Sequence, residues 1–293
     1  MIVPLPVAHR MAPPTPGLPR EALDELERAW LALERPSFAA QLSSILGTPL
    51  EQIIRLLPDE WSARLRGAAE AAVVRAYDLA RPTLDGGSTT SGPAAHRLAA
   101  AATGALGGFF GLPALLLELP TTTLLMLRAI ADVARANGED PASPKTRLAC
   151  IKVFALGGRS RADDYAELGY YELRLGLAWQ FTTVPALEAG TAPALPQPIG
   201  LLRAIGARFG VVVTDKAAAQ AVPILGALAG AAVNTLFMDH FLRVADGHFT
   251  VRRLERRFGR PAVEAAYRAI GARHGNPRGL TRTPRRRRNR RAA

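Results

Sequence analysis

Cysteine is nearly missing from this 293-residue chain: Cys150 stands alone, which excludes an intramolecular disulfide framework or a cysteine-based zinc site and fits a reducing compartment. Aromatic residues are scarce too, at 6% against 48% hydrophobic residues, so the apolar content rests on short aliphatic side chains. Alanine dominates, favouring helix and close backbone approach. One β-branched run occurs, Val211 to Val213, and it reads as helical. The common signatures of chemistry are absent as well. There is no GxxxxGK[ST] phosphate loop, no HExxH and no GxSxG. The glycine cluster at 104–111 lacks the lysine and the preceding strand that a phosphate cradle needs. From Met1 to Pro19 there are six prolines and no apolar core of seven or more residues, which excludes a secretory signal. A cytoplasmic protein, working at the inner face of the cell membrane, is the resulting expectation.

What the chain does have is two long uncharged stretches rich in Ala and Gly, Leu98–Leu117 and Ala217–Met238, interrupted by Pro113 and Pro223. Six Leu and two Phe in the first contribute roughly −4 kcal/mol to bilayer insertion, a gain that its four glycines, threonine and proline erode. In the second, Gln220, Pro223, Asn234 and Thr235 oppose a similar apolar content. Gly104 and Gly108, Gly107 and Gly111, and Gly226 and Gly230 share the spacing that brings helices close together, inside a membrane or in a tightly crossed soluble core. A proline near each turn favours a hairpin over a straight span, and Pro120 is expected to kink or restart the arm that follows. The expected fold is therefore all-α, a multi-helix bundle around two Ala/Gly-rich helical hairpins with disordered termini. Helix-packing or membrane candidates are Gly104, Gly107, Gly108, Gly111, Pro113, Pro120, Pro223, Gly226, Gly230 and Asn234.

The net charge of +12 is concentrated at one end, since Gly275 to Ala293 holds eight arginines and no acid. About +4 remains for everything else. Such a block repels itself and stays solvated, but it also suits an anionic membrane surface. Neither a recognition module nor interleaved aromatics accompanies it, so nucleic acid is not the expected partner. Thr250 to Phe258 reads as a short, separate amphipathic element, with Val251, Leu254 and Phe258 on one face and Arg252, Arg253, Arg256 and Arg257 over the rest. Those four, with Arg285, Arg286, Arg287 and Arg288, are the candidates for contact with an anionic surface. A membrane surface or a membrane protein is the expected partner.

Punctuation divides the chain into a Pro-rich arm (1–19), a helical domain (20–274) and the Arg-rich tail (275–293). Within the domain, Leu23, Leu26, Trp30 and Leu33 mark a first helical face. Thr48-Pro49-Leu50-Glu51 resembles a capping box opening a helix through Leu57. A helix from Asp59 to Ala80 is expected to stop at Pro82. Asn137-Gly138 is a helix end, and Ser143-Pro144 opens another helix to Leu156, closed by Gly157-Gly158. Leu168, Tyr171, Leu175 and Ala178 are expected to form a buried face. Further helices are read from Ile199 to Phe209, onward to Ala245 or Asp246, and from Pro261 to Ala272.

Few residues suggest chemistry. Asp163, Asp164 and Glu167 form the densest acidic group, fitting a helix N-terminus or, as the enzymatic alternative, a hydrolase-like site near Asp164. Asp239, His240, Asp246 and His248 mix acid and histidine, but the histidines lie two turns apart and read as surface or capping residues. Glu118, Arg128 and Asp132 interrupt apolar surroundings, where buried charges must pair with each other or with other partners. No catalytic residue, metal site or cofactor is assigned.

The run Gly104-Ala-Leu-Gly-Gly-Phe-Phe-Gly-Leu-Pro113 is followed by Glu118-Leu-Pro120, Leu127-Arg-Ala-Ile-Ala-Asp-Val-Ala134, Asn137-Gly-Glu-Asp140 and Val153-Phe-Ala-Leu156. Val222-Pro-Ile-Leu-Gly-Ala-Leu-Ala-Gly-Ala-Ala-Val-Asn234 and Phe241 to Ala245 come later. In this order, over about Asp59 to Arg257, the chain resembles the bacterial EcsC family, named after the third gene of an operon that encodes an ABC-type exporter. The resemblance implies a mostly helical bacterial protein with a membrane connection, leaves the mechanism open and brings no catalytic residues; a non-enzymatic, membrane-associated accessory or interaction role is the leading expectation.

Overall fold

The computed structural model describes residues 17–34, 38–47, 50–55, 58–85, 98, 112–158, 169–178, 199–220 and 226–274. Among them the fold is all-α, with no strand. The helices are α1 (Arg20–Glu34), α2 (Phe38–Leu46), α3 (Leu50–Ile54), α4 (Asp59–Asp85), α5 (Leu112–Ala136) and α6 (Pro144–Gly157). These are followed by α7 (170–178), α8 (Ile199–Gln220), α9 (Gly226–Phe258) and α10 (Arg260–Arg273).

Local chemistry sets several boundaries as expected. Ser143 caps α6, its hydroxyl accepting the Thr146 amide at 3.2 Å, with Pro144 opening the helix. At the end of α5, Gly138 adopts φ 74°. The Gly138 amide donates to the Arg135 carbonyl and that of Glu139 to Ala134, both at 3.0 Å, the paired closure that a glycine in the left-handed region permits. Gly259 (φ 84°) turns α9 into α10. Val211 to Val213 lie within α8.

Other boundaries differ from expectation. Thr250–Phe258 is the last part of the 33-residue α9, not a separate element. Gly247 does not stop the helix because it serves packing: a Cβ there would come within 2.9 Å of Leu33 Cγ and 3.0 Å of the Ala29 carbonyl oxygen, so α1 crosses α9 at this point. Pro120 neither ends nor restarts α5. Leu115 and Leu119, both fully buried, anchor the turn weakened by its missing N–H. Likewise α4 runs past Pro82 to Asp85, and α3 ends at Ile54 rather than Leu57. On α7 the buried face is turned from the expected one. Tyr170, Tyr171 and Leu177 are buried while Leu175 is 60% exposed, and Leu168 lies outside the described residues.

The long α9 is the organising element, packing against α1, α5, α6, α8 and α10. Several phenylalanines among the described residues gather beside it. Phe154 of α6, Phe209 of α8, and Phe237 and Phe241 of α9 form a fully buried cluster with ring centroids 4.8 to 6.0 Å apart, and Phe38 of α2 meets Phe237 edge-on. The broadest helix contact joins α4 to α8. There Gly206 and Gly210, four apart, let the backbones almost touch: a Cβ on Gly206 would lie 2.6 Å from Glu70 Cα, and one on Gly210 3.2 Å from Arg66 Cα.

Candidate functional site

Two buried polar centres stand out from this apolar interior. The first lies between α5 and α8. Lys216, with no side-chain exposure, donates to Glu118 Oε1 at 3.1 Å, and the Glu118 side chain is only 8% exposed. The Thr122 hydroxyl donates to the same oxygen at 2.9 Å, while Glu118 Oε2 is buried without a hydrogen-bond partner. The Lys216 ammonium also sits 5.1 Å from the Phe237 ring centroid, in cation–π range. Burial pulls the Lys216 ammonium below the ordinary lysine range, against the charge and hydrogen bond of Glu118, which favour its protonation. Glu118 thus pairs with a partner 98 residues away. Asp132 bonds Arg135 at 2.6 Å, and Arg128 is exposed.

The second centre joins α1, α7, α9 and α10. Tyr170, at the start of α7, has its hydroxyl 2.8 Å from His248 Nδ1, and Arg174 donates to that same hydroxyl at 3.2 Å. His248 Nε2, on the other side of the ring, is buried and has no hydrogen-bond partner among the described residues. Arg174 also grips Glu255 with two bonds, at 2.9 and 3.0 Å, and the Tyr171 hydroxyl donates to Glu255 at 3.0 Å. Glu34, the last residue of α1, accepts the Tyr170 amide at 3.1 Å and the Tyr267 hydroxyl at 3.0 Å. Burial foremost, then the charges of Arg174, Arg252 and Lys152, holds His248 neutral far below the usual histidine range.

Next to this centre, Glu139 is clamped by Arg252 at 2.8 and 3.0 Å, by Arg256, and by the Thr146 hydroxyl at 3.0 Å. Burial alone would raise its carboxyl, but these partners hold it below the ordinary range. Arg253 meets Glu25 at 2.8 Å, and the Arg257 guanidinium lies 5.0 Å from the Phe258 ring. Three of the four arginines selected for an anionic surface thus tie α9 to acids of the fold. Sequence reading separated these arginines from their acids, which lie more than a hundred residues earlier.

The remaining candidates are placed as follows. Gly104, Gly107, Gly108, Gly111, Pro223, Asp163, Asp164, Glu167 and Arg285 to Arg288 lie outside the described residues. Pro113 is the second residue of α5, and Gly226 and Gly230 are in the first turns of α9. Asn234 is completely buried on α9. His240 and His248 are buried, not surface or capping residues: His240 Nε2 donates to the Gly157 carbonyl at 2.9 Å, and burial lowers its pKa to about 4. No group of acids, histidines and cysteine among the described residues could hold a metal ion. The Cys150 thiol, pushed up to about 12 chiefly by burial, is protonated and unreactive. None of the described helices is long and apolar enough to cross a membrane.

Together these features define an all-α bundle built on one long helix and locked by buried ion pairs. The chain belongs to the EcsC protein family, whose model matches residues 88–254. That span takes in both uncharged stretches and both polar centres except for Glu34, Glu255 and Tyr267. No curated protein and no solved structure matches the chain.

Proposed function

We propose that the protein is a non-enzymatic, membrane-associated accessory or interaction protein, with its Ala/Gly-rich stretches contacting lipid or a membrane protein and its arginine tail holding anionic headgroups. The observation that carries this reading is the exposure of Leu98 and Leu117. At 72% and 83% they are the two most exposed large apolar side chains among the described residues, and they are the two ends of the first uncharged stretch. One exposed leucine is ordinary. A pair bracketing a run of twenty uncharged residues instead suits a surface that is covered when the protein works. The tail adds long-range attraction, each arginine near an anionic surface contributing about 1 kcal/mol.

Flotation on vesicles tests this reading. The full chain should float with phosphatidylglycerol-containing vesicles and only weakly with phosphatidylcholine alone. Deleting residues 278–291 should remove the salt-sensitive part of the binding. Flotation that is indifferent to both lipid charge and tail would rule out the tail's role.

A further inference from the structure

The second polar centre holds one element, α7, against three others. To α1 it is tied by the Tyr170 amide, which donates to Glu34 at 3.1 Å. Most of the bonds go to α9: Arg174 grips Glu255 at 2.9 and 3.0 Å, the Tyr171 hydroxyl donates to Glu255 at 3.0 Å, and the Tyr170 hydroxyl meets His248 Nδ1 at 2.8 Å. On α10, Arg268 pairs with Glu172 at 3.0 Å, and the Tyr267 ring lies 5.6 and 5.2 Å from those of Tyr170 and Tyr171. Aliphatic packing adds little, since Leu177 is buried but Leu175 is mostly in solvent. The attachment of α7 therefore depends on charge state, and His248 is the member whose charge ordinarily changes between pH 5 and 8.

A neutral ring fits this position and a charged one does not. Either neutral tautomer can pair with Tyr170, because a hydroxyl donates as well as it accepts. An imidazolium carries hydrogens on both nitrogens. On one side, Nε2–H would have no hydrogen-bond partner among the described residues. On the other, Nδ1–H would share the Tyr170 oxygen with Arg174, which donates to it at 3.2 Å, so two cations would converge on one neutral atom. The surrounding charges give no relief. Arg174 of α7, Arg252 of α9 and Lys152 of α6 all oppose protonation. Of the carboxylates in the centre, Glu255 of α9 is engaged by Arg174 and Tyr171, and Glu34 of α1 by the Tyr170 amide and the Tyr267 hydroxyl of α10. With α7 in place His248 is 2% exposed; departure of α7 removes Tyr170 and Arg174 together and opens Nδ1 to water.

We propose that α7 is an acid-released latch: protonation of His248 frees it from α1, α9 and α10 while the rest of the bundle stays folded. The sign follows from linkage. Docked, His248 is held neutral far below the usual histidine range; undocked, it regains an ordinary value of about 6.5. The contribution to docking is thus fully present above that value and is lost as pH falls towards the docked one. Across this window the ratio of undocked to docked α7 rises about tenfold for each pH unit. Neither Leu117 nor the tail enters the device, so it stands apart from the membrane contact proposed above.

The test is hydrogen exchange of the full chain, read by mass spectrometry between about pH 7.5 and 5 and corrected for the intrinsic pH dependence of amide exchange. In the wild-type chain the amides of residues 171–178 should exchange roughly tenfold faster at about pH 5.5 than at about 6.5, while those of α4 and α8 keep their protection. His248→Gln cannot take up the proton and should abolish the acceleration. His240→Gln should retain it, because His240 bonds the Gly157 carbonyl of α6 and no residue of α7. The wild-type result decides even where His248→Gln does not fold, since a tenfold rise per pH unit that begins at about 6.5 marks one histidine proton. Protection lost from α7, α4 and α8 together overturns the latch, because it reports global unfolding. An α7 that stays protected down to about pH 5, or that is released equally in His248→Gln, overturns it as well.

Discussion

Each buried titratable side chain in this bundle sets a measurable cost. Glu118 and Lys216 stabilise the fold only as a pair: Glu118→Gln leaves a buried ammonium uncompensated and should cost about 3–5 kcal/mol, read as a loss of Tm. The double variant Glu118→Leu, Lys216→Met removes both charges and should recover most of that loss, because well-packed apolar groups replace a buried pair at little cost. If the double variant is as unstable as the single one, the charges have a role beyond mutual compensation. His240 gives a pH prediction. Folded, it titrates near 4, against 6.5 for an ordinary histidine. Between those values the unfolded chain binds the extra proton, so the contribution is fully present above 6.5 and is lost as pH falls towards 4, on the order of 3 kcal/mol in total. Glu139, whose carboxyl is also lowered, adds a loss of the same sign at more acidic pH. His240→Gln keeps a donor for the Gly157 carbonyl and should flatten the slope of stability between pH 6.5 and 4; an unaltered slope would assign it to other groups.

Helix crossings at small residues decide the packing of the elements. Gly206→Ala would push a methyl into the backbone of α4, and the expected loss is about 1–3 kcal/mol. Gly67, on the same α4, meets nothing within 4 Å, so Gly67→Ala should stabilise by about 0.5–1 kcal/mol through helix propensity alone. Denaturant titration of the two variants should give opposite signs. The Gly206, Gly210 spacing was open to view in the sequence, but Arg203 and Arg208 around it break the uncharged context that drew attention to Gly104 to Gly111 and Gly226 to Gly230. Helix ends were legible wherever a side chain or a fixed φ does the local work, as at Ser143-Pro144 and Asn137-Gly138. Where tertiary packing overrides a local stop signal they were not, as at Gly247 beneath α1 and Pro120 between Leu115 and Leu119. The polar centres were half legible. Glu118 was visible as a charge in need of a partner, but nothing local points to Lys216, nor to the Tyr170 hydroxyl 78 residues before His248. Such pairs exist only once helices distant in sequence are brought together.

At the scale of the molecule, the excess positive charge is concentrated at one end: Gly275 to Ala293 contributes +8 of the net +12, and everything else about +4. The arginines of α9 mostly hold the fold, so the proposed attraction to anionic lipid rests on the tail, and the proposed apolar contact on the stretch between Leu98 and Leu117. Leu117→Ser should leave Tm nearly unchanged, since that side chain is already in solvent, while weakening flotation on neutral vesicles; unaltered flotation would remove Leu117 from the contact. Membership of the EcsC family and the all-α fold constrain the architecture, and the working surface is what remains to be measured. The most direct measurement is fractionation of cells producing the full chain, with low-salt, high-salt and carbonate washes of the membranes in sequence. The protein should sediment with the membranes at low salt and leave them in the high-salt or carbonate wash. Recovery of the whole population in the soluble fraction at low salt, with membranes free of the chain, would contradict the proposed role.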